Sequence, residues 1–351
     1  MWCKSPPSPS PKPLAVIIVG QNFGRQNCNL FRLLRYNDEI FKYYRLKNKL
    51  LSYSTIVITG LFISFLISCK SRQVQTQTLE KIETPPGVVK MRPNFYVDQT
   101  EITNFSYLEF AWWTGRVYGQ NSKEYKSIYP DSTSWGKMGP KSTSFLKYYQ
   151  HPAYRDFPVV CINYEQAKKF SKWRSDRVME FILIREGIIK YRPASQNHPD
   201  SIFTIERYFQ GKYYNIATHP NIQYYPDYGL PDTSIYSRLL SFADSLNSAN
   251  NSNCKDYKFC GKELFICNCK ENKNKFFTSD NLQSTTCHKC KKSLIVHLKG
   301  NANELTNIRG LGFGGSFDKP CDVIQKTNFF PIDSLIYDVG FRNVCTWRKW
   351  Q

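Results

Sequence analysis

Acidic residues are scarce in this sequence. Its 351 residues contain 28 Asp and Glu against 48 Lys and Arg, a formal net charge of +20 at pH 7. Such a basic balance is typical of nucleic-acid-binding proteins. The sequence lacks a motif in which basic and aromatic residues together contact bases and phosphates, and its N-terminal region predicts export from the cytoplasm. We therefore expect no nucleic-acid partner.

The first 46 residues lack the pattern of a folded domain. They open with a Pro/Ser-rich stretch, and their apolar run over residues 13–20 is too short to span a bilayer. We interpret residues 1–46 as a leader or an over-long start.

Residues 47–69 have the pattern of a signal peptide. A Lys-Asn-Lys flank precedes residues 50–68, which carry no charge and end at Cys69. Leu66 to Cys69 resembles a bacterial lipobox, in which the Cys becomes the lipidated N-terminus; an ordinary membrane anchor is the alternative. Residues 70–90 are polar and predict a tether. These patterns predict a lipid-anchored envelope protein, on the outer membrane and facing the periplasm.

Two segments combine a short strand with a following helix. Apolar residues alternate over 94–102, Thr103 and Asn104 are good N-cap residues, and Phe105, Leu108 and Trp112 then recur at helical spacing. In the second segment, the β-rich run 159–162 precedes a helix that Asn163 can cap. Its predicted apolar face consists of Tyr164, Ala167, Phe170 and Trp173.

These segments and three later ones resemble, in the same order, the motifs of the formylglycine-generating enzyme (sulfatase-modifying factor) domain. The opening motif is carried by Asp98, Glu101, Ile102, Thr103, Asn104, Tyr107 and Phe110. The second begins at His151-Pro152 and runs to Trp173, and the later ones are residues 300–305, 314–317 and 339–342. Residues 191–195, Tyr-Arg-Pro-Ala-Ser, stand where the family usually has Arg-Leu-Pro-Thr-Glu.

The resemblance implies an α+β class and an irregular fold related to C-type lectins. We assign it to residues 91–351, with a Cys-rich insert at about 254–292. In the insert, Cys267 and Cys269 are followed after seventeen residues by Cys287 and Cys290. Two close pairs of thiolates can hold a structural zinc ion, whereas an oxidising envelope favours disulfides instead.

The resemblance also implies a calcium site in the Gly-Asn-Ala-x-Glu motif. Gly300, Ala302 and Glu304 match the residues that supply backbone carbonyl and carboxylate oxygens, while His297 stands where the family often has Asn. The alternative for Glu304 is a buried, hydrogen-bonded carboxylate that orders the loop.

The family oxidises cysteine with copper held by two thiolates, and those positions here are Lys319 and Ile324. Cys321 lies nearby and Cys345 lies further on, so the two are either a displaced thiol site, a disulfide, or buried thiols. Three functions remain open. The first is a non-catalytic envelope lipoprotein, resembling the gliding-motility and secretion lipoproteins of the Bacteroidota. The others are a copper oxidase with a displaced site and a lectin-like binder.

The lipobox predicts that Cys69 carries the lipid. Replacing Cys69 with Ala removes the thiol that would carry the lipid, so we expect loss of fatty-acid labelling and of membrane sedimentation. Metabolic labelling with a clickable fatty acid and fractionation measure both. A Cys69→Ala protein that is still processed, labelled and sedimented with membranes would show that the lipobox interpretation is wrong.

Overall fold

The fold contains two small sheets with helices packed between and around them. The computed structural model describes residues 83–138, 143–195, 197–251, 282–285, 295–332 and 336–351. Eight helices and eight strands lie within these ranges, together with three short 3-10 helices at Pro152–Tyr154, Pro199–Ser201 and Thr233–Ile235. This mixture confirms the α+β class.

The first sheet joins the two ends of the described chain. It consists of β1 (Val88–Arg92), β2 (Phe95–Asp98), β8 (Val344–Lys349) and β3 (Tyr224–Gly229), antiparallel and in that order. The sequence does not predict strand β3, because it contains Pro226 and proline is unusual in a strand. Proline is tolerated here because β3 lies at the edge of the sheet.

The second sheet holds the later motifs. Its order is β6 (Phe329–Pro331), β5 (Leu311–Phe313), β4 (Asn303–Leu305) and β7 (Val339–Gly340), and only the β4–β7 pair is parallel. Gly340 pairs with Glu304 across the β4–β7 ladder. This pairing places the Gly-Asn-Ala-x-Glu and Gly-Phe-Arg motifs side by side.

Helix α1 (Asn104–Tyr118) begins where its sequence predicts but buries a different face. The Thr103 hydroxyl accepts a hydrogen bond from the Ser106 amide, which confirms the N-cap. The predicted face is wrong, because Phe105 and Leu108 are half-buried and Trp112 is 39% exposed. The helix buries Tyr107, Phe110, Ala111, Thr114 and Val117 instead.

Helix α5 (Tyr164–Arg185) confirms the second predicted segment. Asn163 and Gln166 form a reciprocal capping box, each side chain accepting from the other's backbone amide. Ala167, Phe170 and Trp173 are buried as expected. The burial continues beyond the predicted face and includes the charged residues Arg174, Asp176, Arg177 and Glu180.

Aromatic rings join these two helices. The rings of Tyr107 and Phe170 stack with centroids 5.7 Å apart, and Phe341 contacts Phe170 edge-on at 5.3 Å. Such pairs contribute about 0.5–1.5 kcal/mol each beyond their buried area. The aromatic residues of three motifs therefore form one core.

Six further helices complete the described secondary structure. Five are short, namely α2 (Lys123–Lys126), α3 (Ser132–Met138), α4 (Phe145–Gln150), α6 (Ile205–Phe209) and α8 (Cys321–Lys326), and the longer α7 spans Tyr236–Asn251. Among the residues the structure describes, no helix is both long and apolar enough to span a membrane. The predicted signal peptide and residues 267–290 of the insert lie outside them, apart from 282–285.

Gly340 provides a test of the packing between the motifs. A Cβ atom at this position would lie 2.6 Å from the backbone oxygen of Val159 and 3.3 Å from the Cβ of Ala302. We expect Gly340→Ala to lower the free energy of unfolding by about 1–3 kcal/mol, because backbone must move to accommodate it. Urea denaturation of the purified chain measures this.

Gly136 in helix α3 is the matched control, since a Cβ there has no atom within 4 Å. We expect Gly136→Ala to be neutral or stabilising by about 0.5–1 kcal/mol, because Ala favours the helix more than Gly. Equal effects of the two substitutions would contradict the close packing at Gly340.

Candidate functional site

Asp98 of the opening motif is held by a buried arginine. Its Oδ2 atom accepts from Arg174 Nη1 at 2.7 Å and from the Asn343 amide at 2.9 Å. The side chains of Asp98 and Arg174 are each only 2% exposed. The Arg174 guanidinium also lies over the ring of Tyr228, 4.2 Å from its centroid. Asp98 therefore connects strand β2, helix α5 and Asn343, the residue that precedes strand β8.

Arg174 is a residue that the sequence analysis missed. It follows Trp173, the last position of the second motif, on a helix whose apolar residues recur every three positions. The only indication in the sequence was that this charged residue directly follows the predicted apolar face. Its partner could not be identified, since Asp98 lies 76 residues earlier.

Glu101 connects the opening motif to the Gly-Asn-Ala-x-Glu motif. Its Oε1 accepts from the Ala302 amide at 3.0 Å and its Oε2 from Asn301 Nδ2 at 2.9 Å. Asn301 adopts a left-handed backbone with φ of 63°, a conformation that Asn tolerates better than most residues. Glu101 thus orders the loop that would supply calcium ligands.

Glu304 is fully occupied by Arg342. Arg342 Nε lies 3.0 and 3.1 Å from the two carboxylate oxygens, and Nη2 lies 2.7 Å from Oε1. The remaining Arg342 donors reach the backbone oxygens of Asp98, at 3.0 Å, and Val296, at 2.6 Å. Both residues are at most 1% exposed.

The predicted calcium ligands Gly300, Ala302 and Glu304 do lie together in one loop and strand. Their chemistry fits calcium poorly, because a guanidinium already bonds both oxygens of Glu304, and Ca²⁺ requires six to eight oxygen ligands. Among the described residues, no group of three or more His, Cys, Asp or Glu is arranged to hold a metal. The geometry favours the alternative of a buried carboxylate that orders the loop.

Burial and neighbouring charges shift the pKa values of Glu101 and His297. Burial, and then the negative charge of Glu304, raise the pKa of Glu101 to about 8 despite the opposing charge of Arg342. Burial and the positive charge of Arg342 lower the pKa of His297 to about 4. Burial therefore favours the uncharged forms of both Glu101 and His297.

The Gly-Gly-Ser-Phe loop contains no site for two thiolates. Ile324 is fully buried and packs with Phe330, and a Cβ on Gly315 would meet both side chains at 2.9–3.0 Å. Ser316 donates to Asp338 at 2.5 Å, and Tyr337 donates to Asp318 at the same distance. The residues in and after this motif are therefore engaged in hydrogen bonds and apolar contacts with one another.

Two of the described cysteines, Cys161 and Cys345, are free and buried. Cys321 is disulfide-bonded, so of the alternatives for Cys321 and Cys345 a disulfide between the two does not occur in this structure. Cys345 lies in the middle of the first sheet, opposite Tyr96 and Tyr228. Burial raises the pKa of both free thiols. Cys267, Cys269, Cys287 and Cys290 lie outside the described residues, and the zinc site stays a prediction.

Residues 64–234 match the family described as the sulfatase-modifying factor enzyme 1-like domain. The chain contains a formylglycine-generating-enzyme-like domain. The match ends before the motifs at 300–342, yet their residues bond directly to Asp98 and Glu101 within the matched range. This arrangement supports the extension of the resemblance to the C-terminal motifs.

Among solved structures, the chain is similar to "Crystal Structure of CarF", at 14% sequence identity and a TM-score of 0.32. The alignment covers 72% of this chain and 86% of that one. No curated protein matches the sequence.

The buried Glu101 of this formylglycine-generating-enzyme-like domain predicts a specific pH dependence. Its pKa is about 8 when folded and near the ordinary glutamate value of 4.5 when unfolded, so the folded protein binds more protons between these values. Its contribution to stability is full below pH 4.5 and is lost as the pH rises through 8. The slope is at most about 1.4 kcal/mol per pH unit.

We expect Glu101→Gln to flatten this decline, measured as the free energy of unfolding in urea between pH 5.5 and 8.5. Asp176, Glu180 and Asp338, whose pKa values are also raised by burial, remain in both proteins. Glu304 has a raised pKa too and its charge acts on Glu101, so the difference between the two proteins reports on the Glu101–Glu304 pair. Glu206→Gln, at an exposed position of α6, is the control and should leave the slope unchanged. Parallel curves for wild type and Glu101→Gln would contradict the assignment.

Proposed function

We propose that this protein is a non-catalytic envelope lipoprotein that uses its formylglycine-generating-enzyme-like domain as a structural and interaction module. The observation that carries the proposal is Ile324. It occupies a position where the family has a copper-binding thiolate, and it is fully buried against Phe330. An aliphatic side chain supplies no donor for copper, and Cys321, which packs against the same cluster, is disulfide-bonded.

The contacts that the motif residues make inside the protein also support the proposal. Asp98, Glu101, Glu304 and Arg342 bond to one another's segments inside the protein, and each is at most 1% exposed. Residues that are sealed from solvent and hydrogen-bonded inside the protein stabilise a fold rather than contact a substrate. The motif resemblance is therefore explained without catalysis.

The finer parts of the proposal rest on the sequence. Cys69 would anchor the mature protein to the outer membrane facing the periplasm, and its partners would be envelope proteins of a gliding-motility or protein-secretion assembly. The domain would have the C-type-lectin-related fold of its family. The Cys-rich insert would be stabilised by zinc bound to Cys267, Cys269, Cys287 and Cys290, or by disulfides among its cysteines.

The alternative is a copper oxidase with a displaced thiol site at Cys321 and Cys345. Cys321 is disulfide-bonded and begins helix α8, whereas Cys345 is sealed inside the first sheet. Copper(I) requires two thiolates that converge on one point. Burial raises the pKa of the Cys345 thiol, which disfavours its thiolate form. These observations support the non-catalytic function over the oxidase.

Activity on a cysteine peptide tests the proposal directly. The purified full-length chain is incubated with copper(I), oxygen and a Cys-x-Pro-x-Arg peptide, and mass spectrometry follows conversion of the cysteine to the aldehyde. We expect no conversion above a protein-free control, because the described thiols cannot hold copper together. An authentic formylglycine-generating enzyme serves as the positive control.

Cys161→Ser and Cys321→Ser distinguish a true activity from a contaminant. An aldehyde product that survives Cys161→Ser and is lost on Cys321→Ser would overturn the non-catalytic proposal in favour of the displaced site. Product that is equally formed by both variants would instead come from free copper or a co-purified enzyme.

A further inference from the structure

The C-terminal half of helix α1 turns an aromatic ring to solvent. Trp112 is 39% exposed, although tryptophan is usually buried in a folded domain. Arg116 follows it by one helical turn and is exposed on the same face, with its guanidinium 5.3 Å from the centroid of the Trp112 ring. The hydrophobic core and the buried charge network use neither side chain, so their exposure calls for another explanation.

Helices α2 and α5 continue this surface through direct contacts. A Cβ atom on Gly115 of α1 would lie 3.0 Å from the ring of Tyr125, so α2 packs closely against the C-terminal half of α1. At the end of α2, the Ser127 hydroxyl accepts a hydrogen bond from Lys169 of α5 at 2.8 Å. The exposed sides of the three helices therefore meet at one surface.

This surface is basic. Its exposed cations are Arg116 of α1, Lys123 and Lys126 of α2 and Lys169 of α5. We call these four residues and Trp112 the basic face. Within the part of the chain that the structure describes, none of the four cations forms an ion pair with a carboxylate. Glu124 is the only acidic residue of α2, and it leaves the basic face with an excess of positive charge.

The kind of cation indicates a diffuse anionic partner. Three of the four are lysines, whose ammonium groups are hydrated point charges on flexible stems, whereas a site for one carboxylate favours the planar fork of arginine. Such lysines suit the many mobile phosphates of a lipid surface, where each contributes about 1 kcal/mol near an anionic bilayer. Tryptophan adds to this preference, because its ring concentrates at the interface between membrane and water. The composition of the basic face therefore fits an anionic membrane.

The chain enters the domain beside helix α5, which carries part of this face. Pro86, near the end of the predicted tether, accepts a hydrogen bond from Arg174 at 3.4 Å, and Trp113 of α1 packs against the neighbouring Trp173 with ring centroids 6.4 Å apart. The chain from Cys69 to Pro86 is at most about 60 Å long when fully extended. A lipid on Cys69 would hold the domain within this reach of a bilayer, so that even a weak contact of the basic face forms at high effective concentration.

We propose that the basic face docks on an anionic phospholipid bilayer. The ring of Trp112 lies at the level of the lipid headgroups, and the four cations contact lipid phosphates. This inference rests on the lipid anchor of the proposed function and deepens it, because the anchor alone holds the domain near the bilayer without orienting it. Docking would fix which side of the domain faces the membrane and which side stays available to envelope proteins.

Photo-crosslinking of the full-length chain in vesicles tests the docking. The photoreactive residue p-benzoylphenylalanine replaces Trp112 in one variant and Val323 in the other, since Val323 of α8 is 37% exposed and is therefore matched in exposure. The vesicles contain phosphatidylcholine with about 30% phosphatidylglycerol, and mass spectrometry measures phospholipid adducts. We expect about fivefold more adduct at position 112 than at position 323, and loss of that excess in about 1 M NaCl, where the Debye length is about 3 Å.

Two triple variants of equal net charge test the role of the lysines, both made in the chain with the photoreactive residue at position 112. The first replaces lysines of the basic face and the control replaces exposed lysines elsewhere: Lys123→Gln, Lys126→Gln and Lys169→Gln against Lys90→Gln, Lys212→Gln and Lys349→Gln. We expect the first to lower lipid adducts about tenfold or more, since three contacts of about 1 kcal/mol are lost, and the control to change them less than about twofold. Thermal unfolding followed by circular dichroism checks that each variant is folded.

Four outcomes would overturn the docking. Equal adducts at positions 112 and 323 would show that no face is preferred, and equal losses in the two triple variants would reduce the contact to the general positive charge of the protein. Adducts that are unchanged in vesicles of pure phosphatidylcholine would exclude a requirement for anionic lipid. Adducts at position 112 with a second protein chain in place of lipid would make the basic face a protein interface.

The docking and the lipid anchor can fail separately. Fatty-acid labelling of Cys69 on the same preparation reports on the anchor. A lipidated chain without lipid adducts at position 112 would refute the docking alone, whereas an unlabelled chain with those adducts would refute the anchor alone.

Discussion

The guanidinium of Arg342 is the interaction on which the described fold depends. It donates to Glu304 on a strand of the second sheet and to the backbone oxygen of Asp98 on a strand of the first. A buried charge costs several kcal/mol unless it is paired and hydrogen-bonded. Because its partners come from both sheets, this side chain is satisfied only when the two sheets are assembled around it. Glu101 and Arg174 extend the same network to the loop and to helix α5.

The residues of this network stabilise the fold, and they differ from the residues at the positions that would carry the family's activity. The residues that make the motifs recognisable are the ones that assemble the two sheets, and they do so without contact to solvent. The positions that would hold copper lie in a different loop, where Ile324 packs into an apolar cluster. The fold and the copper positions are thus carried by different residues, so a resemblance in fold does not by itself imply the activity.

Sequence analysis succeeded where the determining interactions are local. The N-caps of α1 and α5 depend on contacts three residues apart, between Thr103 and Ser106 and between Asn163 and Gln166. The buried face of α1 was harder to predict from the sequence, because apolar residues at helical spacing occur on more than one face of this helix. Tyr107 and Phe110 are inside because they meet Phe170 of a distant helix, whereas Trp112 is 39% exposed.

By itself, the sequence determined the α+β class, the starts of the two main helices and the substitution of Ile324 for a metal-binding thiol. Each of these depends on residue identity or on short-range hydrogen bonds. Only the tertiary structure decided the partners of Asp98, Glu101 and Glu304, which lie 76, 201 and 38 residues away in the chain. It also decided that Cys345 is a free thiol. Cross-links and buried ion pairs are set by distances in space, and sequence spacing carries no information about those distances until the chain has folded.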